Sequence, residues 1–103
     1  MSTDLHYDLY LTLADGTDLR LHQNFDAVAV PRREELIGFE MLDEAGAVWN
    51  FRVSRVDGVI WGPDGTEAVI VSRGMDQIRG EELQWFLDQG WKINFDPEPS
   101  TVI

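Results

Sequence analysis

Glu35–Trp61 reads ELIGFEMLDEAGAVWNFRVSRVDGVIW, and its periodicity decides the fold class. Ile37, Phe39 and Met41 alternate with Gly38 and Glu40, and Trp49, Phe51 and Val53 alternate with Asn50 and Arg52 on the return. Two runs of period-2 alternation around a Gly-containing turn describe a half-buried β-hairpin. With Glu44 and Ala45 at the turn and Gly46 left-handed, Met41 is expected opposite Trp49, Phe39 opposite Phe51 and Ile37 opposite Val53. Aromatic and apolar cross-strand pairs of this kind contribute roughly 0.2–1 kcal/mol each. Glu40, Asn50, Arg52 and Ser54 then take the other face.

Working outward toward the N-terminus, Leu5, Tyr7, Leu9, Leu11 and Leu13 alternate with polar residues and form a strand. Ala14-Asp15-Gly16 turns the chain. A two-residue loop would oppose Leu11 to Arg20 and mix the faces. A three-residue loop with Gly16 left-handed opposes Leu11 to Leu19 and Leu9 to Leu21, so this register is expected. Asn24–Pro31 reads either as a short strand or as a connection, and Pro31 excludes a central ladder position.

Toward the C-terminus, Gly62-Pro63-Asp64-Gly65 is a turn, since Pro presets φ, Asp bonds locally and Gly supplies positive φ. Ala68-Val69-Ile70-Val71 is continuously apolar, as in a strand central to a sheet. Leu83, Phe86 and Leu87 recur at helical spacing behind Glu81 and Glu82, which suit the positive end of the helix dipole. Gly90 suits the residue after the helix, with Trp91 packing back on Phe86. Trp91–Phe95 alternates and reads as a last strand. The expected fold is α+β and mainly antiparallel β. It is a bent meander sheet or small β-barrel with one C-terminal helix. Residues 1–96 are read as one globular domain and 97–103 as a flexible acidic, Pro-containing tail.

The 103 residues carry nineteen acids against eight bases, a formal charge of -11, and no cysteine. Such a field repels nucleic acid, anionic lipid and phosphorylated ligands and attracts basic surfaces. It also serves solubility. The absence of cysteine excludes disulfides, thiolate nucleophiles and Cys-based metal sites. Met1 leads into Ser2-Thr3-Asp4 without the pattern of a signal peptide, and no apolar run reaches the ~20 residues of a membrane span. A cytoplasmic location is the expectation.

Catalytic signatures are absent from the sequence: it has no GxSxG, P-loop, GxGxxG or HExxH pattern. The acid pairs Glu34-Glu35, Asp43-Glu44 and Glu81-Glu82 are adjacent in sequence, whereas paired-carboxylate hydrolysis needs carboxylates facing across a cleft. No enzyme, catalytic residue or cofactor is therefore expected. On the outward face of the first hairpin Asp8 opposes His22, Tyr10 opposes Arg20, and His6 lies diagonal to His22. His6, Asp8 and His22 form a candidate metal set, for which a solvated polar strand face is the simpler account.

Phe51-Arg52-Val53-Ser54-Arg55-Val56 is similar to the strand motif of WYL domains, Sm-like β-barrels that sense ligands in bacterial regulators and defence systems. The tripeptide naming that family is absent. The resemblance implies a ligand-binding β module and carries over no site residues.

Trp49 and Trp61 are expected in the core, and Trp85, off the apolar helix stripe, is expected at the surface. The acid excess lies toward the two chain ends, which the fold could gather into one negative surface. The functional expectation is an acidic, non-enzymatic binding protein that inhibits or masks a basic, nucleic-acid-binding protein. An immunity protein for a nuclease or a phage-encoded antagonist would have this character. Its expected contact surface is Glu81, Glu82, Trp85, Asp88, Asp96 and Glu98, with acids steering association and Trp85 holding the complex. No direct nucleic-acid or membrane contact is expected. The alternative is a structural subunit forming a homo-oligomer through strand edges or Trp85.

Overall fold

The computed structural model describes residues 3–94. Its strands are β1 (Thr3–Thr12), β2 (Asp18–Ala27), β3 (Leu36–Leu42), β4 (Val48–Trp61), β5 (Glu67–Gly74) and β6 (Lys92–Asn94), with one helix, α1 (Gly80–Asp88), before β6. They form one sheet in the order β3-β4-β5-β1-β2-β6. The sheet is open rather than closed into a barrel. It is also not a simple meander, because β5 docks parallel to β1, pairing Leu5 with Ala68, Tyr7 with Ile70 and Leu9 with Ser72. The continuous apolar run in β5 reflects that place between β4 and β1.

The first hairpin has the expected register, with Leu11 opposite Leu19 and Leu9 opposite Leu21. Gly16 has φ 91°, a conformation that costs an L side chain roughly 1–2 kcal/mol. Asp15 accepts from the Thr17 N–H at 2.9 Å within the turn. The same device recurs where Asp43 accepts from Ala45 and Ala47, and where Asp64 accepts from Thr66. These aspartates help to set the turns.

The second hairpin departs from expectation. Its turn is as read, with Leu42 opposite Val48 and Gly46 at φ 83°. A bulge at Trp49 then shifts the ladder by one, so that Met41 opposes Asn50, Phe39 opposes Arg52 and Ile37 opposes Ser54. The expected pairs Met41–Trp49, Phe39–Phe51 and Ile37–Val53 do not form. Turn chemistry requires one register, while the inner face requires the other, because Arg52 must reach the helix and Val56 must oppose Ser72 on β5. The extra residue satisfies both. A consequence is that Trp49 and Phe51 are exposed, at 40% and 49%. Trp61, at the far end of β4, is 51% exposed, so neither tryptophan is a core residue.

The core lies between the inner face of the sheet and α1. Leu5, Tyr7, Leu9 and Leu11 from β1, Leu21, Met41, Val56, Ala68 and Ile70 join Phe86 and Trp91 there. Phe39 meets Phe86 with ring centroids 5.1 Å apart. Trp91 stands edge-on to Tyr7 at 5.4 Å and to Phe86 at 6.0 Å. The helix ends as read: Gly90 has φ 96°, its N–H bonds to Leu87, and the Trp91 N–H reaches back to the Phe86 carbonyl at 3.2 Å. That 6→1 bond closes a Schellman motif. Truncating Phe86, fully buried at the centre of this aromatic group, would cost about 3–5 kcal/mol.

Only one face of the sheet is covered by the helix. On the other, exposed Leu36, Leu42, Val48 and Phe51 lie toward the β3 edge and Ile60 lies beside β5. Among the described residues no helix is long and apolar enough to cross a membrane. The expected domain boundary at residue 96 and the tail beyond it lie outside the described residues.

Candidate functional site

Alternation along β1 sends Leu5, Tyr7 and Leu9 to the core and Asp4, His6, Asp8 and Tyr10 to the open face. The pairings on either side extend each outward residue into a rung across the sheet. Asp4 is the Cα partner of Asp26 on β2 and also of Glu67 on β5. Three exposed carboxylates therefore stand in a row on adjacent strands. Neighbouring strands are only about 4.8 Å apart, so this rung is mutually repulsive. The fold carries this penalty at one end of the open face.

Beside the rung lies a depression of about 350 Å³. Asp4 and Glu67 supply its negative wall, Ile60 and Val69 its apolar wall, and His6 and Asn24 another side, with Trp61 at its border. No lysine or arginine is among its lining residues. Acidic and apolar walls side by side match an arginine or lysine side chain: the stem packs on apolar surface and the cation meets carboxylate.

Trp61 also borders a second, larger depression of about 560 Å³, lined by Arg32, Arg33 and Asp57 beside Val30, Pro31 and Val59. Near its rim Asp57 draws Arg73 to 3.4 Å and Arg55 to 3.9 Å. The surface around Trp61 is thus acidic on one side and carries two arginines with Asp57 on the other.

The expected contact residues on α1 have other environments. Glu82 is fully buried, bonded by Arg52 and approached by Arg79 at 3.4 Å, so it offers nothing to a partner. Its place in the expected surface is corrected: a carboxylate in the first turn of α1 faces the sheet, where Arg52 neutralises it. Glu81 is exposed and paired with Arg79 at 2.8 Å. Asp88 is exposed and accepts from Gln84 at 3.0 Å. Trp85 is half-buried, edge-on to Phe86 at 5.1 Å, and packs against the core. Asp96 and Glu98 lie outside the described residues. Within the described helix, then, Glu81, Trp85 and Asp88 reach the surface and Glu82 does not.

His6, Asp8 and His22 do share the open face. His6 Nδ1 is 2.8 Å from Asn24 Oδ1 and its Nε2 is 3.1 Å from Asp8 Oδ1, while the His22 ring lies 5.8 Å from the His6 ring. Both His6 nitrogens are engaged, and no group of three or more His, Asp or Glu among the described residues is arranged to hold a metal ion. Behind this face, burial pushes the Tyr7 phenol up in pKa, partly offset by Ser54 and Ser72.

The rung was half legible in the sequence. The register that opposes Leu9 to Leu21 also opposes Asp4 to Asp26. Glu67 was not, because the parallel docking of β5 on β1 joins segments distant in the chain. No family model matches the chain, and neither does a curated protein or a solved structure.

Proposed function

We propose that this protein binds a basic protein partner through the Asp26-Asp4-Glu67 rung and the adjoining depression, masking a nucleic-acid-binding surface of that partner. The observation that carries the reading is the rung itself: three like charges, opposed across neighbouring strands, beside an apolar wall of Ile60 and Val69 that Trp61 borders. Like charges directly opposed destabilise a sheet, and a cation seated among them relieves that repulsion. Folding alone supplies no reason for the arrangement, whereas Asp15, Asp43 and Asp64 each have a turn to hold.

On this reading an arginine or lysine of the partner enters the depression, with its stem against Ile60 and Val69 and its charge between Asp4 and Glu67. Trp61 anchors it, and the net charge of -11 steers the encounter. Arg32 and Arg33 on the other side of Trp61 reject a uniformly basic surface and favour one carrying an acid at the matching place. Such a role is that of an immunity protein for a nuclease or of a phage-encoded antagonist. It involves no cofactor and no chemistry by the chain itself.

Affinity capture from a lysate of the encoding organism, at low and at high salt, tests this. A basic nucleic-acid-binding protein retained at low salt and released at high salt is the expected result. Retention of an acidic protein, salt-independent retention or no retention at either salt contradicts the reading.

A further inference from the structure

β3 is an edge strand. Folded proteins guard such edges with lysine, proline, bulges or short length. The opposite edge, β6, spans only Lys92–Asn94. β3 spans Leu36–Leu42, LIGFEML, with neither lysine nor proline and one charge, Glu40.

The ladder to β4 fixes which backbone groups remain open. The Asp43 N–H donates to the Ala47 carbonyl at one end of β3, and the Val56 N–H donates to the Glu35 carbonyl at the other. Antiparallel bonding alternates along a strand, so Glu35, Ile37, Phe39 and Met41 direct their groups toward β4. Leu36, Gly38, Glu40 and Leu42 direct theirs to the open edge.

The apolar side chains of β3 are placed symmetrically about Phe39: Leu36 and Leu42 flank it at equal distance, as do Ile37 and Met41, while Gly38 on one side faces the longer Glu40 on the other. We infer that β3 pairs antiparallel with β3 of a second copy of this chain, with the two-fold axis at Phe39. In that register Gly38 meets Glu40 of the second copy and Leu36 meets Leu42 of the second copy. All are residues with open backbone groups, and about eight backbone hydrogen bonds cross the seam. Phe39 meets its own equivalent, and Ile37 meets Met41. A shift by one residue would face open groups with groups already bonded to β4. Gly38 fits here for a further reason: the Phe51 ring lies across it, 2.6 Å from where a Cβ would stand, and forms a floor for the stem of the incoming Glu40.

The pairing joins two sheets into one and leaves the acidic rung of each copy open, several strands away. It goes beyond the partner-binding reading and stands independently of it. At each end of the seam Glu35 approaches Asp43 of the second copy, so salt strengthens this association, whereas it weakens capture of a basic partner.

Sedimentation equilibrium of the full chain, with amide hydrogen exchange, tests the inference. The expected result is conversion from 11.8 kDa to twice that mass as concentration and salt rise. Protection of the Gly38 and Glu40 amides should appear over the same range. Glu40→Pro removes a donor that the β3–β4 ladder does not use, so this variant should stay folded and lose the dimer. Leu36→Lys/Leu42→Lys leaves the backbone unaltered, opposes lysines across the seam, and should also lose it. Asp4→Asn should dimerise as the wild type does. A single 11.8 kDa species at every concentration and salt overturns the inference. So does a dimer in which the Gly38 and Glu40 amides exchange freely, or one that survives the two lysines.

Discussion

Arg52 on β4 holds Glu82 on α1 through two hydrogen bonds, Nε to Oε2 at 2.5 Å and Nη2 to Oε1 at 2.9 Å. Glu82 is fully buried and the Arg52 side chain is 27% exposed, so one charge is desolvated and the other partly screened. The pair fixes the helix over the half of the sheet that β3 and β4 form. The bulge at Trp49 leaves Arg52 on the face from which it reaches Glu82.

Removing one partner of such a pair leaves the other buried and uncompensated. Glu82→Met is expected to destabilise the fold by about 3 kcal/mol, the low end for buried pairs because Arg52 is partly solvated. Arg52→Met/Glu82→Met is expected to recover most of that loss, since an apolar pair of similar volume needs no desolvation. Urea denaturation of both variants checks this. A double variant no more stable than the single would show that the ion pair contributes more than its neutralisation.

The pH dependence has a definite sign. Hydrogen bonds from Arg52 hold the Glu82 carboxyl below its ordinary pKa of 4.5, against the upward push of burial. A carboxyl whose pKa is lowered by folding contributes stability that is complete above the unfolded value and is lost as pH falls through the folded one. The stability difference between wild type and Glu82→Gln should therefore be constant from pH 7 to about 5 and shrink below that. Denaturation at a series of pH values measures it, and a difference that grows on acidification would refute the assignment.

Two glycines have the same close approach with different consequences. A Cβ at Gly74 would lie 2.7 Å from Leu11 Cδ2, and one at Gly38 would lie 2.6 Å from Phe51 Cζ. Leu11 is buried in the core, whereas Phe51 is half exposed and free to swing outward. Gly74→Ala is expected to cost about 2 kcal/mol by overpacking, and Gly38→Ala under about 1 kcal/mol. Equal losses in thermal unfolding would contradict the burial difference.

Much of this fold is written locally. Leu9 and Leu11 find Leu21 and Leu19 because a left-handed glycine and an alternating row agree on one register, and Gly90 and Trp91 end the helix as their order implies. The second hairpin misleads because its own sequence contains two alternating sets. The exposed set, with Phe51 and Val53, is the more apolar. The inner set was chosen by Glu82, a residue thirty positions from Arg52 in sequence, and by Ser72 on β5. No local pattern encodes that choice. The parallel union of β1 with β5 is likewise non-local, and it places Glu67 beside Asp4. The candidate site was thus half readable, as Asp4 and Asp26, and the expected surface on α1 failed at Glu82 because an acid in a first helical turn can face inward as well as outward.

Asp4 stands between two carboxylates, so its neutralisation should act oppositely on folding and on binding. Asp4→Asn is expected to raise stability by about 0.5 kcal/mol through relief of repulsion, with the gain shrinking in high salt. Thermal unfolding at two salt concentrations checks it. A loss of stability would mean that the rung is tied into the fold.

The most direct measurement is the affinity of the captured basic partner for wild type, for Asp4→Asn/Glu67→Gln and for Trp61→Ala, at one low salt concentration. The double variant is expected to stay folded and bind more weakly, with the loss mainly in the association rate. Trp61→Ala should weaken binding by about 2 kcal/mol, mainly through faster dissociation. Unchanged affinity in both variants would contradict the claim that the carboxylate rung and its tryptophan form the binding site.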